Sequence, residues 1–310
     1  MSAERTAVRV GRRTLALSNL DKVLYPRDGY TKRDVIAYYR TVAPYIVPHL
    51  RQRPLTLQRY PDGIDAGSFF EKHVPKGAPE WIERVTLASP EGAHARTTYL
   101  LCNDVAALAY LANLAALVLH VWTSRIERID EPDVLFFDLD PGERCTIGTL
   151  ARAALAMREV LASIALDALV KTSGGTGLHV VVPLAPGHGY DRAKLFAEAV
   201  AKRLAADDPK RMTIERSLSK RDPHAVYLDY LQVGRGKTMV APYSLRARDG
   251  APVSTPLDWS EVEAYARKRA GLPADVFAAH DLRRTTARLE RDGDRWSGRA
   301  WKRQRLDHAI

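Results

Sequence analysis

Cysteine is nearly absent from this chain. Its 310 residues hold two, Cys102 and Cys145, far apart and without a Cys-x-x-Cys pair. That argues against a disulfide framework and against a zinc site. No apolar run has the length and purity of a membrane span. Val105 to Val121 comes closest, but Asn113 and the Ala-rich spacing suit a buried helix. Met1 to Arg13 has no apolar core, which excludes a secretory signal. No Gly-Lys-Ser/Thr follows a glycine run, so there is no Walker loop. Internal repeats are lacking too. These absences predict a cytoplasmic chain with no membrane contact. Acid is scarce relative to base: 47 Lys+Arg stand against 37 Asp+Glu, a net charge of +10. Such a surplus favours a polyanionic partner, although a generic basic protein carries the same charge. With 46% hydrophobic residues, the chain can bury a sizeable core in one or two domains.

What is present centres on Val134-Leu135-Phe136-Phe137-Asp138-Leu139-Asp140-Pro141-Gly142. The apolar run reads as a buried strand. Strand side chains alternate, so Asp138 and Asp140 share one side while Phe137 and Leu139 face the core. Pro141-Gly142 ends the strand and puts the acids at a rim. Two adjacent carboxylates are costly unless a cation neutralises them. Hard oxygen donors suit Mg²⁺ or Mn²⁺, and two such ions about 3.5–4 Å apart serve phosphoryl transfer. The competing reading is an Asp-capped turn without metal. For an isolated Asp-x-Asp that reading is the commoner one.

Ser173-Gly174-Gly175-Thr176-Gly177-Leu178-His179 sits between two expected strands, Leu169 to Thr172 and Leu178 to Val182. Its glycines let backbone approach a ligand and present N–H groups. A strand follows where a dinucleotide fingerprint needs a helix. A plain glycine hairpin is an even alternative, and a lone His179 reads as a core histidine. Asp229, within the expected strand Val226 to Leu231, needs a partner: a metal or a buried cation. Arg221, Arg235, Arg246 and Arg248 surround these acids in sequence. Each alone reads as a surface charge; together they suit a triphosphate or a nucleic-acid backbone.

Elsewhere the pattern predicts a helix capped by Thr31 and running to about Pro44, and a strand at Leu55 to Tyr60. Further helices are expected at Asp104 to Leu119, Thr146 to Ser163, Tyr190 to Ala206 and Ser260 to Arg269, with a strand at Met239 to Pro242. Residues 1–30 read as basic and turn-rich. Asp281 to Ile310 reads as a peripheral helix or a loose basic tail. Strand–helix–strand–strand–helix–strand from 134 to 231 is the order of a split βαβ unit. The fold class is therefore α+β, with an N-terminal α/β module over residues 1–125 and a catalytic core over 126–310. Phe69-Phe70 in a loop suits base stacking or, equally, a buried staple.

Taken in order, Leu20-Asp21-Lys22-Val23-Leu24-Tyr25-Pro26, Ser68-Phe69-Phe70-Glu71-Lys72-His73, Phe137-Asp138-Leu139-Asp140-Pro141, the glycine segment through His179, Leu228-Asp229-Tyr230 and Ala241-Pro242-Tyr243-Ser244-Leu245-Arg246 resemble the polymerase domain of bacterial ligase D. The likeness spans nearly the whole chain. That family belongs to the archaeo-eukaryotic primase superfamily and acts in non-homologous end joining.

The resemblance implies a primase-polymerase-like core with an RRM-like sheet. It also implies a template-directed nucleotidyltransferase that extends DNA 3′ ends and fills gaps at breaks, with a preference for ribonucleotides. Asp138, Asp140 and Asp229 match its metal ligands, for two divalent cations, Mn²⁺ or Mg²⁺. Ser173, His179, Arg246 and His120 match its nucleotide-binding residues, and Arg221 and Gln232 join that set, for NTP or dNTP. Lys22 and Lys32, ten residues apart, match lysines that grip the 5′-phosphate of the downstream strand. Phe69 and Phe70 match aromatics that stack in the gap. The implied partners are gapped or broken DNA, Ku and an ATP-dependent DNA ligase, and the implied location is the nucleoid.

Two positions depart from the family pattern. Thr176 stands where Lys is frequent, which removes one phosphate contact. The stretch before Asp229 is one residue longer, which leaves Lys220 and Arg221 as rivals for the phosphate arginine. No ligase adenylation lysine and no phosphoesterase histidine cluster is seen, as in a freestanding polymerase or an excised domain. A metal-dependent nuclease or phosphoesterase, and a non-catalytic DNA-end binder, are the alternative functions.

Overall fold

The computed structural model describes residues 5–88, 96–296 and 301–306. Two sheets organise them. The larger has six strands in the spatial order Met212–Thr213, Val226–Asp229, Val134–Pro141, Leu178–Pro183, Leu169–Thr172 and Pro256–Leu257. Its central four strands are mutually antiparallel. Numbered along the chain, they stand in the order four, one, three, two, as the split βαβ reading requires.

The acidic strand reads as a continuous apolar run because it is covered on both faces. Leu135, Phe137 and Leu139 pack under the helices Ile147–Ser163 and Tyr190–Asp207. Val134 and Phe136 meet Val181, Met239 and Trp296 on the other face. The Thr146 side chain caps the first helix by accepting from Thr149 N at 3.2 Å. Ile147, Leu150, Ala151, Ala154, Met157 and Leu161 then recur at helical spacing and are buried.

The second sheet has the order Thr238–Val240, Ala116–Trp122, Leu55–Arg59 and Phe69–Glu71. The helices Lys32–Leu50 and Val105–Asn113 share its core. Val240, Tyr243, Leu245, Val253, Leu282 and Leu289 enter the same cluster from late in the chain. Tyr38 Oη donates to the Tyr243 carbonyl at 2.8 Å, and Leu119 N to Ser244 Oγ at 2.9 Å.

Several expectations are corrected. The Thr31-capped helix runs on through Pro44 and Pro48 to Leu50. An internal proline costs about 3 kcal/mol. Here Val42, Ala43, Ile46, Val47 and Leu50 continue the buried face and offset it. The expected helix Asp104 to Leu119 stops at Asn113. Ala115 turns the chain at φ +54°, and Ala116–Trp122 is a strand. A fully buried strand and a buried helix look alike in a short apolar run; the β-branched Val118 and Val121 and the aromatic Trp122 decide. The Val226 strand ends at Asp229, where a 3₁₀ turn, Tyr230–Gln232, begins. The turn-rich N-terminus holds a hairpin, Arg5–Val10 against Arg13–Ser18.

At the other end Asp281 caps the helix Leu282–Asp292 by accepting from Arg284 N at 2.7 Å. The segment beyond it is docked rather than loose. Trp296 and Trp301 pack on His49, and Gln304 bonds Asp167 N and the Asp167 carbonyl. Residues 297–300 and 307–310 of the expected tail lie outside the described residues. Among those described, no helix is long and apolar enough to cross a membrane.

Candidate active site

The two sheets face each other across a cleft of about 490 Å³, within the usual range for small-molecule sites. Asp138 and Asp140 reach it from the acidic strand, as alternation predicts. Pairing puts Asp229 across from Asp138 on one side and His179 across from it on the other. Like charges thus collect on two adjacent inner strands of the sheet. Burial and the charges of Asp138 and Asp229 push the Asp140 carboxyl well above its ordinary value, against Arg221 and Arg246. Burial raises Asp138 as well, but His179, Lys171 and Arg246 outweigh it and hold this carboxyl below its ordinary range. Burial and Lys171 push His179 itself down to about 4. Its ring is then uncharged at pH 7, while the Arg246 guanidinium keeps its positive charge toward Asp138.

His179 Nε2 stands 3.3 Å from Asp138 Oδ1, which is buried without a hydrogen-bond partner. An unpartnered carboxylate oxygen beside a second acid is the donor set a hard divalent cation takes. Asp229 is placed for the same role but turned elsewhere. Its Oδ1 accepts from Leu231 N at 3.0 Å, and its Oδ2 from Gln232 Nε2 at 2.9 Å. Among the described residues no three His, Cys, Asp or Glu side chains close into a ready metal cage. The residues therefore fit a cation at Asp138 and Asp140, with Asp229 engaged in capping the turn.

The glycine segment forms the adjoining wall. Ser173 Oγ accepts from Gly175 N at 3.2 Å and Gly177 N at 3.1 Å, which curls the loop and leaves its own hydroxyl proton free to donate. Gly174 has φ +74°, and a Cβ there would lie 2.6 Å from Arg246 Cγ. The loop and Arg246 are thus in immediate contact. His120 enters from the second sheet, on the strand paired with Thr238–Val240. Its Nε2 is buried without a partner, and burial with Arg246, Lys171 and His179 pushes the ring down to about 3. Gln232 also lines the cleft.

Phe70 reaches the rim, and its ring lies 5.9 Å from that of His120. Phe69 and Phe70 are 45% and 62% exposed, so they are no buried staple. The Arg59 guanidinium lies over Phe69. Lys22 and Lys32 sit apart from the cleft. The turn between them folds back, so that Lys32 N donates to the Lys22 carbonyl at 2.9 Å. Burial, Lys22 and Arg59 lower the Lys32 ammonium. Lys22 pairs with the exposed Asp62.

Arg221 is outside the cleft. It lies over the Tyr227 ring and donates to the Glu215 carbonyl at 2.7 Å and the Arg216 carbonyl at 3.1 Å. Lys220 ends an exposed 3₁₀ turn. The cleft brings in residues that had not been singled out: Thr56, Lys72, Phe136, Lys237 and Thr238. Lys72 stood within a quoted motif, and strand alternation puts Phe136 on the side of Asp138 and Asp140; Thr56 carried no signal.

Comparison with known proteins identifies the family. The family described as LigD, primase-polymerase domain, matches residues 31–296. The multifunctional non-homologous end joining protein LigD of Mycolicibacterium smegmatis is 40% identical over 298 residues, covering 90% of this chain and 38% of that protein. The bifunctional non-homologous end joining protein LigD of Bacillus subtilis is 33% identical over 251 residues, covering 81% of this chain and 40% of that protein. The chain thus spans less than half the length of these relatives. The polymerase domain of Mycobacterium tuberculosis ligase D, solved in complex with DNA, superposes with a TM-score of 0.81 at 35% identity, over 91% of this chain and 96% of that one. The chain belongs to the LigD primase-polymerase domain family, and by that membership is a nucleotidyltransferase enzyme.

Proposed function

We propose that the chain adds nucleotides, ribonucleotides by preference, to a DNA 3′ end at a gap or break during non-homologous end joining. The observation that carries this reading is the cleft. It sets two carboxylates, Asp138 and Asp140, opposite a glycine loop with Ser173 and Arg246. A polyphosphate and a primer 3′ hydroxyl can then meet between them. Asp138 and Asp140, with Asp229 once its carboxylate leaves the turn, would hold Mn²⁺ or Mg²⁺. Those ions, when bound, lower the pKa of the primer 3′ hydroxyl and steady the leaving pyrophosphate.

The remaining steps belong to the chain's own residues. Arg246 and the Ser173 hydroxyl hold the phosphates, and Arg246 offsets charge developing there. The uncharged His179 and His120 rings line the site without repelling the cation. Gln232 steadies Asp229 through its amide. Phe70 at the rim offers a face on which a base stacks. In this reading residues 1–125 are the DNA-end-binding module and 126–310 the catalytic core. Lys22 and Lys32 take the 5′-phosphate across the gap, and Ku and a DNA ligase are the partners in the cell. Arg221 offsets charge from beside Asp140 rather than from within the cleft.

Primer extension on a gapped template, with NTP or dNTP and with Mn²⁺, Mg²⁺ or chelator, tests this. Metal-dependent elongation is expected, faster with NTP. Shortening of the primer would identify a nuclease, and binding without chemistry an end-binding protein.

A further inference from the structure

Lys171 is a lysine entirely buried beneath the cleft. It lies on the Leu169–Thr172 strand directly across from His179, so Lys171, His179, Asp138 and Asp229 form one row over four adjacent strands. Residues in such a row share a face of the sheet. Buried lysines are rare unless paired. Lys171 Nζ donates to Ser254 Oγ at 2.6 Å and to the Thr172 carbonyl at 3.4 Å. Ser254 Oγ donates to that same carbonyl at 2.9 Å.

Ser254 belongs to a splint, residues 252–255, that is bonded on both sides. Toward the glycine loop, Thr172 Oγ1 donates to the Val253 carbonyl at 3.0 Å and accepts from Thr255 N at 2.9 Å. Toward the arginine, Ser254 N donates to the Ser244 carbonyl at 2.9 Å, and Arg246 N to the Pro252 carbonyl at 2.8 Å. A Cβ on Gly174 would lie 2.9 Å from Ser254 N. Loop, splint and arginine segment therefore touch, and a shift in one displaces the next.

We propose that Lys171 is a positioning residue for nucleotide binding: through Ser254 and the Thr172 carbonyl it fixes the spacing between the Ser173 loop and Arg246. The proposal rests on the reading of Ser173 and Arg246 as the phosphate-binding pair. Lys171 touches nothing that reacts. An aliphatic side chain would fill its place, and Ser254 Oγ would keep its bond to Thr172, so the fold tolerates the loss while the spacing relaxes.

The test uses the full chain and the variants Lys171→Met, Lys171→Gln and Ser254→Ala. Affinity for a fluorescent ribose-labelled ATP with Mn²⁺ is measured beside KM, kcat and gapped-DNA affinity. Lys171→Met is expected to raise nucleotide Kd and KM at least tenfold with DNA affinity unchanged, and Ser254→Ala, which leaves the lysine beside Asp138, to do so with kcat within about threefold. Lys171→Gln, which keeps a donor, recovers most of the loss. Nucleotide affinity within twofold of wild type in Lys171→Met would overturn the proposal. So would parallel losses in nucleotide and DNA binding, which mark general unfolding. If Lys171→Met does not fold, Ser254→Ala carries the same decision, because it removes one oxygen. Wild-type protein that bound no triphosphate would overturn the nucleotide reading and this proposal together; wild-type binding that the variants leave intact overturns this proposal alone.

Discussion

Gly174→Ala places one methyl group where the glycine loop meets Arg246. Two costs add. The backbone sits at φ +74°, which costs a residue with a Cβ about 1–2 kcal/mol. The new Cβ would stand 2.6 Å from Arg246 Cγ and 2.9 Å from Ser254 N, and overpacking of that kind costs about 1–3 kcal/mol. Together they come to roughly 2–5 kcal/mol, a fall in Tm of roughly 3–8 °C in a chain of this size. On the proposed role of Arg246, the displaced side chain moves off the phosphates. Loss of a charge-assisted hydrogen bond of about 1.5–3 kcal/mol then predicts a roughly 10- to 150-fold rise in nucleotide KM. Gly29→Ala is the control. Its φ is +72° with nothing within 4 Å of the new Cβ, so it carries the backbone cost and no displacement. Thermal unfolding and KM for NTP in primer extension, run on both variants, separate the terms. Equal KM in Gly174→Ala and Gly29→Ala would refute the claim that this loop and Arg246 act as one phosphate site.

Other expectations follow from the same structure. Asp133 lies between Arg53 at 2.6 Å and Arg125 at 2.9 Å. Removing it strands a buried guanidinium, so Asp133→Ala should cost about 3–5 kcal/mol in urea unfolding at pH 7. Burial raises the Asp133 carboxyl, but Arg53 and Arg125 outweigh it and leave it below its ordinary value. Its stabilisation is therefore complete above about pH 4 and fades as pH falls through the folded-state value; the gap between wild type and Asp133→Ala should narrow in that window, and a constant gap would count against the pairing. Phe70→Ala should leave stability within about 0.5 kcal/mol, since the ring is exposed, yet weaken binding to gapped template by about 1–3 kcal/mol in anisotropy titrations. Lys22→Ala and Lys32→Ala should weaken binding to a gap bearing a 5′-phosphate and spare the same gap with a 5′-hydroxyl; equal loss on both would reduce them to general phosphate contacts.

Local features of the site were legible in the sequence. Asp138 and Asp140 share a face because strands alternate. Thr31 caps its helix because a Thr with Asp three residues on makes a capping box. The glycine loop follows from three glycines between strands. What was not legible is non-local. Nothing in the sequence pairs His179 with Asp138, since register is set by the assembled sheet. The nearly continuous apolar run 116–122 carried no period to separate strand from helix, which hid the element that delivers His120 to the cleft. Arg221 was expected in the cleft, but Tyr227 and two carbonyls hold it on the neighbouring strand. Lys171 did carry a signal. A charge between Val170 and Thr172 in a short apolar strand begs for a partner, as Asp229 did, but its partner Ser254 is remote in sequence.

The proposed chemistry depends most directly on the Asp138 carboxylate. Single-turnover primer extension with Mn²⁺ and saturating NTP, comparing wild type with Asp138→Ala at matched gapped-DNA binding, measures it alone. The account predicts a loss of about a thousandfold or more, with DNA affinity and Tm close to wild type. Retention of more than about a tenth of the rate, a difference of only about 1.4 kcal/mol, would contradict a metal-holding role for this residue and the mechanism built on it.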